Sequence, residues 1–244
     1  MSLSQPLIFP NWSAPAHVHA FQTTRSGGFS GAPYSSLNLG DHVGDAPLTV
    51  ARNRMVLNQL VPSEPVWLEQ VHGTVVVDAG AASCRPRADA SVARGRGAVC
   101  VVMTADCLPV LLCDRAGTVV GAAHTGWRGL AEGVLEASIA AMQVAPSELL
   151  VWFGAAIGAT AFEVGAEVRA QFVAQHAAAD SAFIPNGNDK YLADLYALAR
   201  LRLEQLGVRD IFGGDLCTFH DAERFFSYRR DGVTGRMGTF IWLA

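Results

Sequence analysis

Short apolar runs recur along the chain, and turns rich in Gly, Pro and Asp separate them. Runs of about four to eight residues that are rich in Val, Ile, Leu and Trp are typical of strands buried on both faces. The pattern therefore predicts strands at 66–71, 75–78, 98–103, 108–113, 118–123, 149–154 and 239–243.

Four longer segments show the periodicity of amphipathic helices, namely 48–60, 128–142, 165–177 and 190–206. Strands come in runs with helices between them, without strict βαβ alternation. This order favours a mixed sheet covered by helices over a doubly wound parallel sheet. Because neither a repeat nor a linker interrupts the pattern, we predict an α/β fold in one domain over residues 1–244.

Charge and composition mainly exclude classes of function. A net charge of −4 creates no field that would attract nucleic acid or an anionic membrane. The apolar stretches are too short to span a bilayer, and the first residues do not have the pattern of a signal peptide. Five cysteines without CxxC spacing indicate reduced thiols. We expect a soluble, cytoplasmic protein whose oligomeric state the sequence does not indicate.

Asp106 and Cys107 stand at the start of an apolar strand, where a strand has no structural need for either. Asp114 and Gly117 suit a type I turn, so 108–123 is predicted to be a hairpin. A two-residue loop places Cys107 opposite His124, on the same face. A bulge at Gly117 shifts the register by one residue and puts the two side chains on opposite faces.

A Cys–His pair beside a helix start would favour a thiolate, because a helix N-terminus and an imidazolium both stabilise it. A metal needs at least one more ligand, and six other histidines are candidates. His72 is the best of them, since it ends one predicted strand and precedes another. Taken singly, Cys107 has an alternative role as a small buried apolar side chain. Each histidine taken singly has an alternative role as a hydrogen-bonded structural imidazole.

Several longer motifs occur in order from about residue 20 onward: TTRSGGFS, YSSLNLGDHVGD, WLEQVHGT, VVMTADCLPVLL, AAHTGWRGL, GAAIGATAFEVG and FFSYRRDGVTGRMGTFIWL. Together they resemble the bacterial laccase-domain family, also called polyphenol oxidases or YfiH-like proteins. That family is described as purine nucleoside phosphorylases with adenosine deaminase and methylthioadenosine phosphorylase activity. The resemblance implies a single-domain mixed α/β sandwich with a cysteine-hydrolase-like architecture.

The resemblance also implies a zinc site made of His72, Cys107 and His124. These three residues would be both the metal ligands and the catalytic residues. Two imidazoles and one thiolate leave one zinc position open, which is the pattern of a catalytic site. Zinc in such a site lowers the pKa of a bound water to about 7. Copper is the alternative metal. The implied partners are a purine nucleoside and phosphate.

Phosphorolysis needs donors around the phosphate, and guanidinium groups bind phosphate oxygens in bidentate fashion. The candidates are Arg25 in the RSGG loop and Arg229 and Arg230 in SYRRDG, with a solvated turn as the alternative for the last two. Asn38 either positions a ribose hydroxyl or holds a turn, and Asp106 is a candidate for orienting a ligand or a water.

Three other functions compete with the zinc-dependent nucleoside enzyme. A true multicopper oxidase needs more imidazoles than the seven histidines here, although one Cys–His–His copper centre could oxidise phenols weakly. An amidase that edits peptidoglycan precursors could use Cys107 as nucleophile and His124 as base. In the last alternative, zinc only stabilises the fold of a non-catalytic module.

Overall fold

The computed structural model describes residues 7–82 and 84–244. Its strands, numbered in chain order, are β1 Val18–Gln22, β2 Val76–Asp78, β3 Ala90–Ala93, β4 Val99–Thr104, β5 Leu108–Asp114, β6 Val120–Thr125, β7 Leu149–Phe153, β8 Glu163–Gly165, β9 Phe183–Pro185, β10 Lys190–Ala193, β11 Asp210–Gly213 and β12 Met237–Leu243. The α-helices are α1 Pro47–Leu57, α2 Trp127–Glu132, α3 Val134–Met142, α4 Ala166–Gln175, α5 Leu195–Leu206 and α6 Tyr228–Asp231. Within these residues, none of the helices is both long enough and apolar enough to cross a membrane.

The strands form three sheets. A six-stranded sheet has the order β11-β7-β5-β6-β3-β2, and it is mixed because β11 runs parallel to β7 and β2 parallel to β3. A three-stranded antiparallel sheet has the order β1-β12-β4. A small antiparallel sheet, β8-β10-β9, completes the set.

The two largest of the four hydrophobic clusters among the described residues lie on the two faces of the six-stranded sheet. One core lies between the six-stranded and three-stranded sheets and contains buried Val102, Leu111 and Ile241. The other lies between the opposite face of the six-stranded sheet and the helices, with Leu112 from β5, Leu135 from α3 and Leu198 from α5. The prediction of a mixed α/β sandwich covered by helices is therefore confirmed.

Several predicted elements differ from the observed ones. The helix predicted at 128–142 is two helices, because Gly133 between them has a φ of +101°, in the left-handed region. The helix predicted at 190–206 begins only at Leu195, where Asp194 caps it by accepting from the Ala197 N–H, and strand β10 precedes it. Residues 66–71 form only isolated bridges, through Val66 and Glu69.

The β5–β6 hairpin has neither of the two predicted registers. Pro109 pairs with His124, so the pairing differs by two residues from the one that placed Cys107 opposite His124. The Asp114 carboxylate accepts hydrogen bonds from the main-chain N–H groups of Thr118 and Val119, which lengthens the loop. A shift of two residues leaves each side chain on its expected face of the sheet. Cys107 and His124 are therefore still neighbours, but diagonally rather than directly across the two strands.

Candidate active site

Three separate segments bring His72, Cys107 and His124 together. His124 lies in β6 and is buried, Cys107 immediately precedes β5, and His72 lies in the loop before β2. Their possible ligand atoms all lie within 4.8 Å of one another, and the Cys107 Sγ is 3.7 Å from His72 Nε2. Among the described residues, no other group of three His, Cys, Asp or Glu side chains meets this criterion.

The buried carboxylate of Asp89, just before β3, orients two of these residues. It accepts hydrogen bonds from the main-chain N–H groups of His72 at 2.8 Å and Gly73 at 2.7 Å. It also accepts from His124 Nδ1 at 2.8 Å. A carboxylate only accepts, so Nδ1 of His124 keeps its proton in either charge state, and Nε2 is the nitrogen that would give up its proton to bind a metal. Burial raises the pKa of Asp89, but His124 and the Gly73 N–H outweigh it and lower the pKa below its usual value.

Cys107 and His124 stabilise each other's charged forms. Burial alone would raise the pKa of the Cys107 thiol, but the charge and hydrogen bonding of His124 and His72 lower it to about 6. Burial would likewise lower the pKa of His124, but Cys107 and Asp89 raise it to about 9. The electrostatics therefore favour a thiolate at neutral pH, which is the form of cysteine that binds a metal.

The donor set fits a zinc ion of the catalytic kind. Two imidazole nitrogens and one thiolate are typical zinc donors, and three protein ligands leave a position for substrate. The chain passes close to these donors at Gly126, where a Cβ atom would lie 2.7 Å from His72 Cδ2 and 3.1 Å from the Cys107 Sγ. Glycine is therefore required there to leave the donors room.

A cavity of about 340 Å³ opens onto the three donors. Its other lining residues are His42, Gln70, Met103, Thr104, Ala105, Tyr228 and Arg236. The volume is at the lower end of the range of about 300–1,000 Å³ that is usual for small-molecule sites. The three possible metal ligands thus form one wall of a pocket that also carries a cation.

Arg236 is that cation. Its Nη1 donates to the carbonyl oxygens of Thr234 and Gly235, and within the described part of the chain no carboxylate lies at ion-pair distance from its guanidinium. Burial lowers the pKa of Arg236, while Cys107 and Asp106 oppose that change. An arginine stays protonated under such conditions, so the pocket holds a positive charge without a carboxylate partner.

His42 faces the same pocket from the loop before α1. Burial is the main cause that lowers the pKa of His42, and the positive charge of Arg236 lowers it further. His42 is therefore neutral at neutral pH and can accept as well as donate a hydrogen bond.

None of the four predicted substrate residues lines this cavity. Arg25 donates to the carbonyl oxygens of Ser35 and Ala222, and Arg230 donates to those of Thr218, Phe219 and Phe225. These guanidinium groups hold loops together by satisfying backbone carbonyls.

Arg229 and Asn38 are likewise engaged with the backbone. The Arg229 guanidinium donates to the Glu163 carbonyl oxygen on the surface. Asn38 is fully buried, and its side-chain oxygen accepts from the N–H groups of Gly40 and Arg236. Of its two predicted roles, the structure therefore favours holding a turn, and this turn fixes the backbone of Arg236.

Asp106 connects the active-site loop to the rest of the molecule. Its carboxylate accepts from the Thr218 hydroxyl at 2.6 Å and from the Arg229 N–H at 2.6 Å, while its main-chain oxygen accepts from the Ile157 N–H. Its φ of +94° is unusual for a residue with a side chain. These contacts fix the backbone next to Cys107, and an orienting role of Asp106 toward a ligand or a water stays a prediction.

Arg236 was not among the site residues predicted from the sequence, and His42 was predicted only as one of six candidate metal ligands. The motif TGRMG did carry a signal, because it places an arginine directly before the last apolar run, as TADC places Asp106 and Cys107 before β5. In the structure Met237 pairs with Thr104, so the two motifs meet at the ends of neighbouring strands.

Comparison with known proteins identifies relatives over nearly the whole chain. The family described as multi-copper polyphenol oxidoreductase laccase matches residues 19–244. The protein called purine nucleoside phosphorylase YfiH from Escherichia coli (strain K12) is 57% identical over 240 residues, which are 97% of this chain and 98% of that protein. A protein called purine nucleoside phosphorylase from Pseudomonas aeruginosa is 55% identical over 237 residues, which are 97% of this chain and 98% of that protein.

Solved structures agree with the sequence relatives. The crystal structure of Neisseria meningitidis protein NMB0706 superimposes with a TM-score of 0.95 at 54% identity, covering 97% of this chain and 98% of that one. YlmD from Geobacillus stearothermophilus gives a TM-score of 0.87 at 32% identity, covering 98% of this chain and 99% of that one.

Proposed function

The chain belongs to the multi-copper polyphenol oxidoreductase laccase family, and on that premise we propose that it is a zinc-dependent purine nucleoside phosphorylase. One observation carries the proposal: the His72–Cys107–His124 cluster and the unpaired cation of Arg236 line one small cavity. The names of close relatives supply the reaction, and the cavity supplies residues that suit its two substrates.

The reaction joins a phosphate oxygen to ribose C1′ while the bond from C1′ to the purine nitrogen breaks. The purine leaves as an anion that takes up a proton. Arg236 suits the phosphate, because a guanidinium group offers two parallel donors to phosphate oxygens. Phosphate would in turn supply the negative charge that Arg236 lacks in the described part of the chain. We assign Arg236 to phosphate binding in place of Arg25, Arg229 and Arg230.

The remaining residues of the cavity would hold the nucleoside. His72, Cys107 and His124 would bind the zinc, and zinc at that position would supply Lewis-acid stabilisation for developing negative charge. Neutral His42 can donate to or accept from a heteroatom of the substrate. Adenosine deamination and phosphorolysis of methylthioadenosine are included in the proposal, because the same wall of the cavity would meet the purine in each case.

The test is release of hypoxanthine from inosine and phosphate by the zinc-loaded protein. We expect Arg236→Met to raise the KM for phosphate about 10- to 100-fold, since a hydrogen bond to a charged group contributes about 1.5–3 kcal/mol. Arg229→Met is the matched control, because it removes the same charge from an exposed side chain and keeps the N–H that Asp106 binds. Absence of phosphate-dependent hypoxanthine release from the wild type would contradict the proposal.

Amide hydrolysis of a peptidoglycan precursor is the second candidate. The observation that favours it is the charged pair of Cys107 and His124, which is the arrangement of a cysteine nucleophile and its base. Amide cleavage that persists in metal-free protein and stops in Cys107→Ala would support this function instead. Copper-dependent phenol oxidation would be supported by oxidation of a phenol that appears only when the protein is loaded with copper.

A further inference from the structure

A second cysteine–histidine pair lies outside the active site. Cys217 Sγ is 3.3 Å from His220 Nδ1 in the turn after β11. The pair lines a separate cavity of about 530 Å³, formed by residues 215–217 and 220–224. Cys217 is partly exposed and His220 is exposed, so small molecules in solvent can reach the sulfur.

The main chain provides a second donor to this sulfur. The Gly158 N–H donates to Cys217 Sγ at 3.3 Å, and a Cβ atom at position 158 would lie 3.1 Å from the sulfur. An imidazole that can accept the thiol proton therefore lies on one side of the sulfur, and an N–H that points at the sulfur lies on another, which is an arrangement that activates a nucleophile.

The other thiols outside the active site do not share these features. Cys100 and Cys113 are fully buried, and burial raises the pKa of each to about 12. Cys84 is exposed, and no imidazole contacts it within the described part of the chain. Cys84 is therefore an internal reference for an exposed thiol without a histidine.

The surroundings of Cys217 lead directly to the active site. Thr218, the next residue, donates its hydroxyl to the Asp106 carboxylate. Ile157, which precedes the Gly158 donor, donates its N–H to the Asp106 main-chain oxygen. Asp106 is bonded to Cys107, and two of its three donors, Thr218 and Ile157, directly adjoin Cys217 and the Gly158 donor in the sequence.

We propose that Cys217 and His220 form a reactive-thiol site for hydroperoxides, and that oxidation there loosens the metal ligand Cys107 through Asp106. The thiolate sulfur attacks one peroxide oxygen, so that an S–O bond forms and the O–O bond breaks. The sulfur is oxidised to a sulfenic acid and the peroxide is reduced. The leaving hydroxide or alkoxide takes the proton held by His220 and departs as water or an alcohol.

The first test compares thiols within one molecule. The full-length, zinc-loaded protein is treated with hydrogen peroxide, and a sulfenate-specific probe is quantified on each cysteine peptide by mass spectrometry. We expect Cys217 to react at least about tenfold faster than Cys84, because an imidazole beside the sulfur can take the thiol proton as the S–O bond forms. His220→Gln should slow the reaction of Cys217 and leave that of Cys84 unchanged. Equal rates for Cys84 and Cys217 would overturn the proposal.

The second test measures the link to the metal ligand. Zinc transfer to a chromogenic chelator is timed before and after limited oxidation, in a Cys84→Ser background. We expect faster release after oxidation, recovery on adding a reductant, and no change in Cys217→Ser. An unchanged release rate in protein shown to carry the Cys217 sulfenate would overturn the coupling. Neither readout uses nucleoside turnover, so both can be scored whatever the substrate is; the second test rests on the zinc site of the proposed function, and the first does not.

Discussion

The carboxylate of Asp89 accepts hydrogen bonds from the backbone of the His72 loop and from the ring of His124. It therefore sets the distance between His72 and His124, which are 52 positions apart in the sequence. Partners of this kind fix the tautomer and direction of a metal-binding histidine. Asp89 contacts no substrate in this arrangement and acts through the residues it positions.

We predict that Asp89→Asn weakens zinc binding about 10- to 100-fold, because the amide no longer accepts from all of its present donors. Competition with a chelator of known affinity measures the change. Asp78→Asn is the control, since Asp78 is an exposed carboxylate that accepts from the Gly80 N–H. Unaltered zinc affinity in a folded Asp89→Asn protein would remove Asp89 from the metal-binding arrangement.

Residue type was sufficient to predict the three metal-ligand candidates but not the role of each arginine. Cysteine and histidine at strand ends are unusual enough to be recognised in the sequence. In contrast, Arg25, Arg230 and Arg236 all lie in glycine-rich or turn-like segments. Each of the three guanidinium groups donates to at least two backbone carbonyls, and only Arg236 lines the cavity beside His72, Cys107 and His124, which depends on the tertiary fold.

At the scale of elements, the start of α2 packs against the metal ligands at Gly126. We predict that Gly126→Ala abolishes tight zinc binding, because the added methyl group would overlap the His72 ring and crowd the Cys107 sulfur. Metal content after dialysis measures the loss. Gly95→Ala is the matched control, since nothing lies within 4 Å of a Cβ atom there. Full metal content in both variants would mean that the His72 loop moves freely.

The β5–β6 hairpin supplies a prediction on pH. Burial raises the pKa of Asp114, but the N–H of Val119 and the side chain and N–H of Thr118 outweigh it and lower the pKa. A lowered folded-state pKa gives stability that is present above the unfolded value of about 3.9 and is lost as the pH falls through the folded value. Asp114→Asn should therefore reduce the free energy of unfolding by about 1 kcal/mol at neutral pH.

Urea unfolding of the wild type and Asp114→Asn at neutral and acidic pH checks this prediction. The difference between the two proteins should shrink as the pH falls, because the wild-type carboxylate becomes protonated. Asp78→Asn again serves as the control for a carboxylate at a turn. A difference that stays constant with pH would show that packing, not the charge of Asp114, holds the loop.

The same hairpin shows which features of an element can be predicted from the sequence. A turn is present at the predicted position, Asp114–Gly117, with the Gly117 N–H donating to the Asp114 carbonyl oxygen. The register was wrong because the Asp114 side chain also binds two residues beyond Gly117. The position of the turn can be predicted because turn residues are local signals. The number of N–H groups that bind the Asp114 carboxylate cannot be predicted in this way, because it depends on the three-dimensional geometry of the loop.

At the scale of the whole molecule, the metal ligands join loops that belong to different parts of the chain. We predict that zinc removal lowers the Tm. Free metal at about 1,000 times its Kd stabilises the folded state by about 4.1 kcal/mol, which corresponds to roughly 10 °C for a protein of this size. Thermal unfolding with and without a chelator measures the shift. The Tm of His72→Ala should change little when the chelator is added. A wild-type Tm that is the same with and without the chelator would contradict the prediction.

The layered architecture was predictable because alternating runs of strands and helices can bury their apolar faces in few ways. Sheet membership was not, since β1 and β4 join through β12, which is distant from both in sequence. Two statements remain predictions: that residues 1–244 form one domain, and that the protein acts in the cytoplasm. The two cores support the first of these, because both contain strands of the six-stranded sheet.

The central position of β12 has a consequence for synthesis on the ribosome. Strands β1 and β4 each pair with β12 and not with each other, so their sheet cannot form until Met237–Leu243 has emerged. Such non-local pairing is slow to form. Arg236 immediately precedes β12, whereas the three metal ligands emerge more than a hundred residues earlier. A nascent chain can therefore bring His72, Cys107 and His124 together before it has a complete pocket, and docking of β12 is the step that adds Arg236 to the pocket.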